Sequence, residues 1–440
     1  MAMTTSVEKL QLLGSSAITR RYLQLRFGLI SGEDGGGQEE ASKPLKRKQE
    51  HMGLPDLPTR KKLWQAQVPH LYDLVVAHRR SSDIRSFSWP SGAARISKNA
   101  VLQRIVLGSS KALMLAAVRL PWPERLAEES KHRQPWEEQK EADEAVQPFV
   151  RITQYMAHDG LSTLACSPQE YLLTATQKTS GEVLVFRAAD WEVAYQDECR
   201  PELRLSGEGG ASGLAWTDSS SQLLAVNRGG VTCWNIQTGD ETARFAAGRE
   251  VTALAASSFG NTFIVGCSEG RLAWWDTRVQ GLAPTCSCDT RHGPVQCAAF
   301  ADVELGSSQL ATGSADGHVQ AWDARQLGAP LCDLRWPGSA CGGVGHVAWA
   351  PSGNCMLAAA YGDGRVVLWD TKQRAETTRE ACGSEPSEAK FVHGAHSGQD
   401  VCGVAWSRDC PWLLASAARE DLQFWRPSAA LFAAPQALGA

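Results

Sequence analysis

The chain lacks two features that would point to a membrane or to nucleic acid. No run of apolar residues approaches the roughly 18 that a membrane-spanning helix needs. Charge of one sign is not in excess either, because 44 Lys and Arg residues stand against 48 Asp and Glu, for a formal net charge of −4. A chain so nearly balanced has no general electrostatic attraction to a polyanion. We therefore expect neither a membrane nor nucleic acid among its direct partners.

Signatures of catalysis and of metal binding are absent from the sequence as well. No GxxxxGK[ST] phosphate loop, HExxH, GxSxG or dinucleotide fingerprint follows a strand-like run. Among the 13 cysteines, Cys286 and Cys288 are the closest pair, and no second pair follows at zinc spacing. Others, such as Cys233 and Cys267, lie inside strand-like runs as small hydrophobes do. We expect no enzymatic activity, no cofactor and no metal, and, without a secretory signal, a reducing compartment.

What the chain does contain is an aromatic residue that closes a repeated phrase at intervals of 41 to 56 residues: Phe186, Trp234, Trp275, Trp322, Trp369 and Trp425. A period of roughly 40–50 residues ending in Trp-Asp is typical of four-stranded propeller blades. Asp316-Gly317 and Asp363-Gly364 mark hairpin turns within the repeat, because Gly supplies the positive φ of the turn. The sequence therefore predicts an all-β fold, a seven-bladed WD-repeat β-propeller with a short N-terminal helix packed on its side.

The composition changes along the chain predict where the propeller begins, ends and is interrupted. Polar and Gly-rich stretches do not supply the apolar surface of a packed blade, and Pro69 should end a helix that precedes it. The expected segments are a largely flexible extension at 1–56, a helix and lead-in at 57–82, a propeller at 83–427 with a charged loop at 121–146 and an inserted loop at 373–392, and an apolar tail at 428–440.

Two basic clusters lie in the N-terminal part of the chain, separated by a spacer, and consist of Lys43, Lys46, Arg47 and Lys48, then Arg60, Lys61 and Lys62. This arrangement resembles a bipartite nuclear import signal, in which an extended basic segment fits an acidic groove on a carrier. The alternative is a solvated run of charges without a receptor. The clusters favour a nuclear location, with the cytoplasm as a second compartment.

The most complete repeat contains residues that predict a buried hydrogen-bond relay. His292, Ser314, Asp316 and Trp322 are expected to satisfy the indole N–H and to fix the turn. His292 and Asp316 could also be interpreted as a catalytic pair, but their place in the repeat favours a structural role. Other repeats depart from the pattern, so we expect their stability to depend more on packing.

Three segments carry a more specific resemblance: Trp64–His78, Glu182–Phe186 continued by Glu198–Leu205, and Pro386–His396. In order and spacing they resemble the retinoblastoma-binding histone chaperone family, which includes the small WD-repeat subunit of chromatin assembly factor. The resemblance extends from about residue 60 to 427 and leaves the first 56 residues without a counterpart. It implies a non-catalytic adaptor of chromatin assembly, remodelling or histone-modifying complexes, with histone H4 or an H3–H4 dimer and other complex subunits as partners.

The resemblance also implies where a histone H4 helix would bind, namely in a groove on the side of the propeller. One wall would be the N-terminal helix, and the other the loop inserted before the last blade. The implied residues are Leu63, Trp64 and Leu71 on the first wall and Glu385, Pro386, Glu388, Phe391 and Val392 on the second. Apolar anchors for one helix face and carboxylates for its basic side chains suit a helix-in-groove mode.

At the mouth of the central channel this chain departs from the family, which places carboxylates and aromatic rings there to hold an extended histone H3 tail. The matching positions are Leu161, Thr163, Gly210, Ser212, Thr252, Pro294, Gly343 and Gly345. The loss of several charge-assisted contacts, at about 1.5–3 kcal/mol each, would abolish tail binding. The departure leaves open an alternative, a propeller scaffold or substrate receptor that kept the fold but changed its partners.

Overall fold

The computed structural model describes most of the chain from residue 72 onwards. The described residues are 72–79, 83–90, 94–95, 100–121, 149–156, 160–167, 173–187, 200–209, 213–217, 221–257, 261–279, 283–301, 309–326, 328–336, 342–351, 355–372, 388–394, 396, 400–410, 412–419 and 421–428. Within these ranges the regular structure is entirely β, and a search of them finds no helix of the length and apolarity that a bilayer requires.

The strands form seven sheets, numbered here as blades in chain order. Strand β1 (Tyr72–Arg79) comes first along the chain but belongs to the last blade. Blade 1 has five strands: β2 (Ile84–Ser88), β3 (Ala94–Arg95), β4 (Ala100–Ser109), β5 (Ala112–Pro121) and β6 (Phe149–Met156). Blade 2 has four: β7 (Leu161–Cys166), β8 (Leu173–Lys178), β9 (Val183–Arg187) and β10 (Leu203–Leu205).

Blades 3 to 6 each have four strands that pair in sequence order, and blade 7 has three such strands followed by β1. Blade 3 contains β11 (Leu214–Trp216), β12 (Gln222–Asn227), β13 (Gly230–Asn235) and β14 (Glu241–Ala246). Blade 4 contains β15 (Val251–Ala256), β16 (Thr262–Cys267), β17 (Arg271–Asp276) and β18 (Cys286–Asp289). Blade 5 contains β19 (Val295–Phe300), β20 (Gln309–Ser314), β21 (His318–Asp323) and β22 (Cys332–Arg335). Blade 6 contains β23 (Val344–Trp349), β24 (Met356–Tyr361), β25 (Val366–Asp370) and β26 (Ala389–His393). Blade 7 contains β27 (Val401–Trp406), β28 (Leu414–Ala418), β29 (Asp421–Pro427) and β1.

Burial on both faces explains why the middle strands of a blade have continuous apolar sequences. The second strand of blade 6, β24, has the sequence MLAAAY and is buried at every residue, because neighbouring blades cover both of its faces. The outermost strands β14 and β18 are mostly exposed, and they carry Glu, Thr, Arg and Ser. The core therefore lies between adjacent blades, and its largest cluster surrounds Trp369, Trp425 and Phe391.

The inner strands contact one another in an unbroken cycle, which closes the propeller. Strands β2, β7, β11, β15, β19, β23 and β27 each touch the next, and β27 touches β2. This confirms the predicted seven-bladed all-β propeller. The closing aromatics lie where the repeat places them, since Phe186, Trp234, Trp275, Trp322, Trp369 and Trp425 are all buried at the ends of third strands.

The N-terminal boundary of the propeller differs from the sequence prediction. Tyr72–Arg79, assigned from sequence to the lead-in at 57–82, is the outer strand of blade 7 and pairs antiparallel with Asp421–Pro427. The propeller therefore includes residues 72–79, which precede the predicted start at residue 83. The outer edge of β29 would otherwise carry unpaired N–H and C=O groups, and β1 satisfies them. The predicted N-terminal helix lies outside the described residues.

The loop predicted at 373–392 is also shorter than expected at its C-terminal end. Ala389–His393 forms β26, the outer strand of blade 6, in register with Val366–Trp369. The segment is recruited to the sheet because Phe391 and Val392 bury their side chains there. The remainder of that loop, the core of the charged loop at 121–146 and the apolar tail from residue 429 lie outside the described residues.

Candidate functional site

The described positions predicted for the channel mouth lie at or near the starts of the inner strands. In six blades the ladder between the first and second strands is irregular directly after the first inner-strand residue, as between Val251 and Ala253 or Val344 and His346. Thr252, at one such irregularity, donates its hydroxyl to the carbonyl oxygens of Val295 and of Gly266. Its polar group is therefore used within the propeller.

None of the described residues at the predicted channel-mouth positions is charged. Leu161 is buried, Pro294 is exposed, and Thr163, Thr252, Gly343 and Gly345 are partly exposed. Gly343 packs tightly: a Cβ there would lie 2.5 Å from the Gln296 side chain and 3.0 Å from the Ala315 backbone. Gly210 and Ser212 lie outside the described residues. The described positions therefore carry no carboxylate that could pair with Arg or Lys of a ligand.

The two chain segments implied as groove walls meet at the outer edge of blades 6 and 7. The Tyr72 hydroxyl lies 2.9 Å from His393 Nδ1, a pair that is 321 residues apart in sequence. The Tyr72 ring also packs edge-to-face against Phe391, with centroids 5.2 Å apart. His393 in turn stacks on Trp425 with centroids 4.2 Å apart and rings nearly parallel. The first described residue of the N-terminal lead-in is thus joined directly to the strand that follows the inserted loop.

Two of the predicted groove residues are core residues instead. Phe391 and Val392 are each 1% exposed, and the Phe391 ring lies against Tyr72 and Trp425. The expectation that they form an accessible apolar floor is therefore wrong, because these consecutive strand residues face opposite sides of blade 6 and both side chains are covered. Glu388 is also largely buried, and its carbonyl oxygen accepts the backbone N–H of Asp370 at 2.8 Å. Leu63, Trp64, Leu71, Glu385 and Pro386 lie outside the described residues.

The relay predicted in blade 5 has a different set of partners. Trp322 Nε1 donates to Thr312 Oγ1 at 3.0 Å, so the acceptor is Thr312 rather than Ser314. Ser314 donates instead to the carboxylate of Asp316 and accepts the His318 backbone N–H at 3.2 Å. Thr312 is the nearer hydroxyl because it follows Leu310, the cross-strand partner of Trp322, by two residues and faces the same side.

His292 is likewise not joined to Asp316 in the predicted way. Its Nδ1 atom lies 3.6 Å from Asp316 Oδ2, which is beyond hydrogen-bond distance. Its Nε2 atom lies 2.7 Å from Asp333 Oδ2, a carboxylate that the repeat pattern did not indicate. The predicted relay of His292, Ser314, Asp316 and Trp322 is therefore two separate sets of contacts, one around the indole and one around the histidine.

A more continuous relay occurs in blade 7, where it was not predicted. Ser416 Oγ accepts the Trp425 indole N–H at 3.0 Å and lies 2.7 Å from His396 Nε2. His396 Nδ1 is 3.5 Å from Asp421 Oδ2. The sequence signal that could have identified it is a hydroxyl residue two positions beyond the cross-strand partner of the closing Trp, here Leu414. The cross-strand partner of the Trp is known only once the register of the two strands is known, so the sequence alone could not identify this hydroxyl.

Four of the described thiols are poor candidates for nucleophiles. Burial raises the pKa of Cys297 and of Cys402 to about 12 in each case, only partly offset by a backbone hydrogen bond. Burial likewise raises the pKa of Cys288 and of Cys332 to about 11. Because the thiolate is the reactive form, these cysteines behave as small hydrophobic residues.

Comparison with known protein families agrees with the architecture. The family described as "WD domain, G-beta repeat" matches residues 331–370 and 388–425. The first match spans strands β22 to β25, and the second spans β26 to β29. Each match therefore begins near the outer strand of one blade and ends near the closing Trp of the next blade. Propellers of this kind present loops and rims to other proteins. The chain is therefore a seven-bladed β-propeller that contains WD repeats, an architecture suited to a protein-interaction scaffold.

Proposed function

We propose that this propeller is a non-catalytic adaptor that binds histone H4, alone or within an H3–H4 dimer, for chromatin assembly, remodelling or histone-modifying complexes. The histone would present an amphipathic helix to a groove on the outer side of blades 6 and 7. Three segments that resemble the retinoblastoma-binding histone chaperones support this proposal, together with the way the fold uses two of them. One such segment supplies β1 and another supplies β26.

The observation that carries the proposal is the contact of Tyr72 with Phe391 and His393. The hydroxyl-to-imidazole distance of 2.9 Å and the ring contact at 5.2 Å join two segments that are remote in sequence. The chain on the N-terminal side of Tyr72 contains Leu63 and Trp64, and the chain before Glu388 contains Glu385. Both segments therefore enter the propeller at one edge, as the two walls of a single groove require.

The chemistry of these segments fits a basic, amphipathic helix. Leu63 and Trp64 would supply apolar anchors, and Glu385 would pair with Arg or Lys on the polar side of the helix. Phe391 and Val392 support the groove from within the core rather than contacting the histone. A substitution such as Phe391→Asp would therefore unfold the blade, and it cannot separate binding from stability.

The test is a titration of the purified full-length chain with a histone H4 first-helix peptide, followed by fluorescence anisotropy. We expect micromolar or tighter binding, at least tenfold weaker in a Leu63→Glu/Trp64→Glu variant, because two apolar anchors would be replaced by charge. Val279→Glu is the matched control, since Val279 is an exposed apolar residue of blade 4, at 60% exposure. It should leave the affinity unchanged.

A histone H3 tail peptide serves as the second ligand in the same experiment. It should not bind, because the described mouth positions carry no carboxylate. Absence of H4 binding by well-folded protein, or equal binding by the wild type and the Leu63/Trp64 variant, would contradict the proposal.

A second candidate function is a scaffold or substrate receptor that kept the fold and no longer binds histones. The uncharged channel mouth favours it, since Thr252 uses its hydroxyl on neighbouring carbonyls and Gly343 has no side chain. Failure of both histone peptides with folded protein would select this function.

We further propose that the two basic clusters direct the chain to the nucleus. A fluorescent fusion of the full chain should be nuclear, and a variant with Arg60, Lys61 and Lys62 changed to Ala should shift to the cytoplasm, because each cluster occupies one half of the carrier groove. Arg325 and Arg335, which are basic and exposed in blade 5, provide control substitutions. An unchanged distribution of the cluster variant would contradict this assignment.

A further inference from the structure

The strand β1 is held at its N-terminal end by a side chain more than by the backbone ladder. Tyr72 is the cross-strand partner of Pro427, which has no N–H to donate, and the register of the pair shifts between Tyr72 and Leu74. From Leu74 to Arg79 the two strands then pair residue by residue. The first residue of β1 therefore has little ladder to hold it, and its buried side chain supplies another attachment.

That attachment reaches into the neighbouring blade. The Tyr72 ring meets Phe391, His393 and Trp425 edge-on, with centroids 5.2, 5.7 and 6.4 Å away and interplanar angles of 85–88°. Its hydroxyl lies 2.9 Å from His393 Nδ1. Phe391 and His393 belong to β26 of blade 6, whereas Trp425 belongs to β29 of blade 7. The strand β1 therefore pairs its backbone with one blade and places its first side chain against both.

The strand β26 depends on the same group of rings. His393 stacks on Trp425 with centroids 4.2 Å apart, and Phe391 lies 5.9 Å from the same indole. Two residues of this outer strand thus reach across to blade 7, and the ladder that joins β26 to β25 is itself irregular. A buried polar atom that loses its hydrogen bond, and rings that lose a covering edge, destabilise the segment that carries them. Displacement of Tyr72 would therefore weaken β26 as well as β1.

We propose that Tyr72 is a latch that couples β1 to β26, so that the two strands detach from the edge of the propeller together and not separately. The coupling is reciprocal, because a change that loosens either strand must lower the stability of the other by the same free energy. The latch joins the segments assigned above to the two groove walls, but it follows from contacts among described residues and does not rest on histone binding. The outer seam of blades 6 and 7 would then open as one cooperative unit.

Hydrogen–deuterium exchange of the full-length chain, read by mass spectrometry without any ligand, tests the coupling. Tyr72→Phe keeps the ring and removes only the hydroxyl. We expect the amides of both β1 and β26 to exchange at least about fivefold faster, since loss of one buried hydrogen bond changes a local opening equilibrium by roughly that factor. Phe391→Leu tests the reverse direction: β26 pairs with β25 and not with β1, yet this change should speed exchange in Tyr72–Arg79.

Thr312→Val is the matched control, because it removes a different buried hydroxyl, the one that accepts the Trp322 indole N–H in blade 5. It should speed exchange in blade 5 and leave β1 and β26 unchanged. Exchange that Tyr72→Phe changes in neither strand or in β1 alone, or that Phe391→Leu changes in β26 alone, would overturn the proposal. A uniform increase over all seven blades would overturn it too, because the hydroxyl would then support the whole fold and not a local latch. Since no histone is present, failure here is distinct from a failure of histone binding.

Discussion

The closing tryptophans of blades 4 to 7 each bury an indole N–H, and whether that group finds an acceptor depends on one residue of the neighbouring strand. The acceptor position lies two residues beyond the cross-strand partner of the Trp, and it is Thr312 in blade 5 and Ser416 in blade 7. In blade 4 the same position is Val265, and Trp275 Nε1 is buried with no hydrogen-bond partner among the described residues. A buried donor without a partner costs roughly 1–3 kcal/mol.

Val265→Thr should therefore stabilise blade 4. Thr has nearly the shape of Val, and its hydroxyl would stand where Thr312 and Ser416 accept an indole N–H. We expect the free energy of unfolding to rise by about 1 kcal/mol, measured as a higher urea midpoint. Thr312→Val is the reciprocal control, because it deprives Trp322 of its acceptor and should lower the midpoint. A decrease with Val265→Thr would show that Trp275 needs no acceptor at that position.

Two kinds of contact join the blades at the scale of strands. Trp216, Trp349 and Trp406 close inner strands, and each donates its indole N–H to a carbonyl of the preceding inner strand, at 2.9–3.1 Å. These bonds explain why the phrase ending in Ala-Trp returns in blades 3, 6 and 7. The second contact is β1, which completes blade 7 from the opposite end of the described chain.

Removal of β1 should destabilise the whole propeller. A chain beginning at residue 57 keeps this strand, and a chain beginning at residue 81 loses it together with buried Tyr72. Loss of one large buried aromatic side chain costs about 3–5 kcal/mol, so we expect a lower Tm and aggregation through the exposed edge of β29. Circular dichroism melts of the two truncations provide the measurement. Equal melting temperatures would show that β1 is not required to close the fold.

At the scale of the whole molecule, the ring of inner strands makes every blade depend on two neighbours. The buried middle strands, such as β24, have no solvent-facing side, so their stability comes from packing between blades. This arrangement leaves the outer strands, the turns and the channel mouth free to vary in chemistry. The uncharged positions described at the predicted mouth and the histidine–aspartate cluster of blade 5 (His292, His318 and Asp333) both lie at such places.

The sequence by itself determined the class of fold and the order of the blades. The closing aromatics and the Asp-Gly turns are local signals, since strand period and turn geometry depend on neighbouring residues. Only the tertiary structure decided that Tyr72–Arg79 completes the last blade, that Phe391 is core rather than groove, and that Asp333 joins His292 and His318. These are contacts between segments that are distant in sequence. The closed ring of blades decides which segments become neighbours, and those neighbours determine which edge a strand pairs with and which side chains are covered.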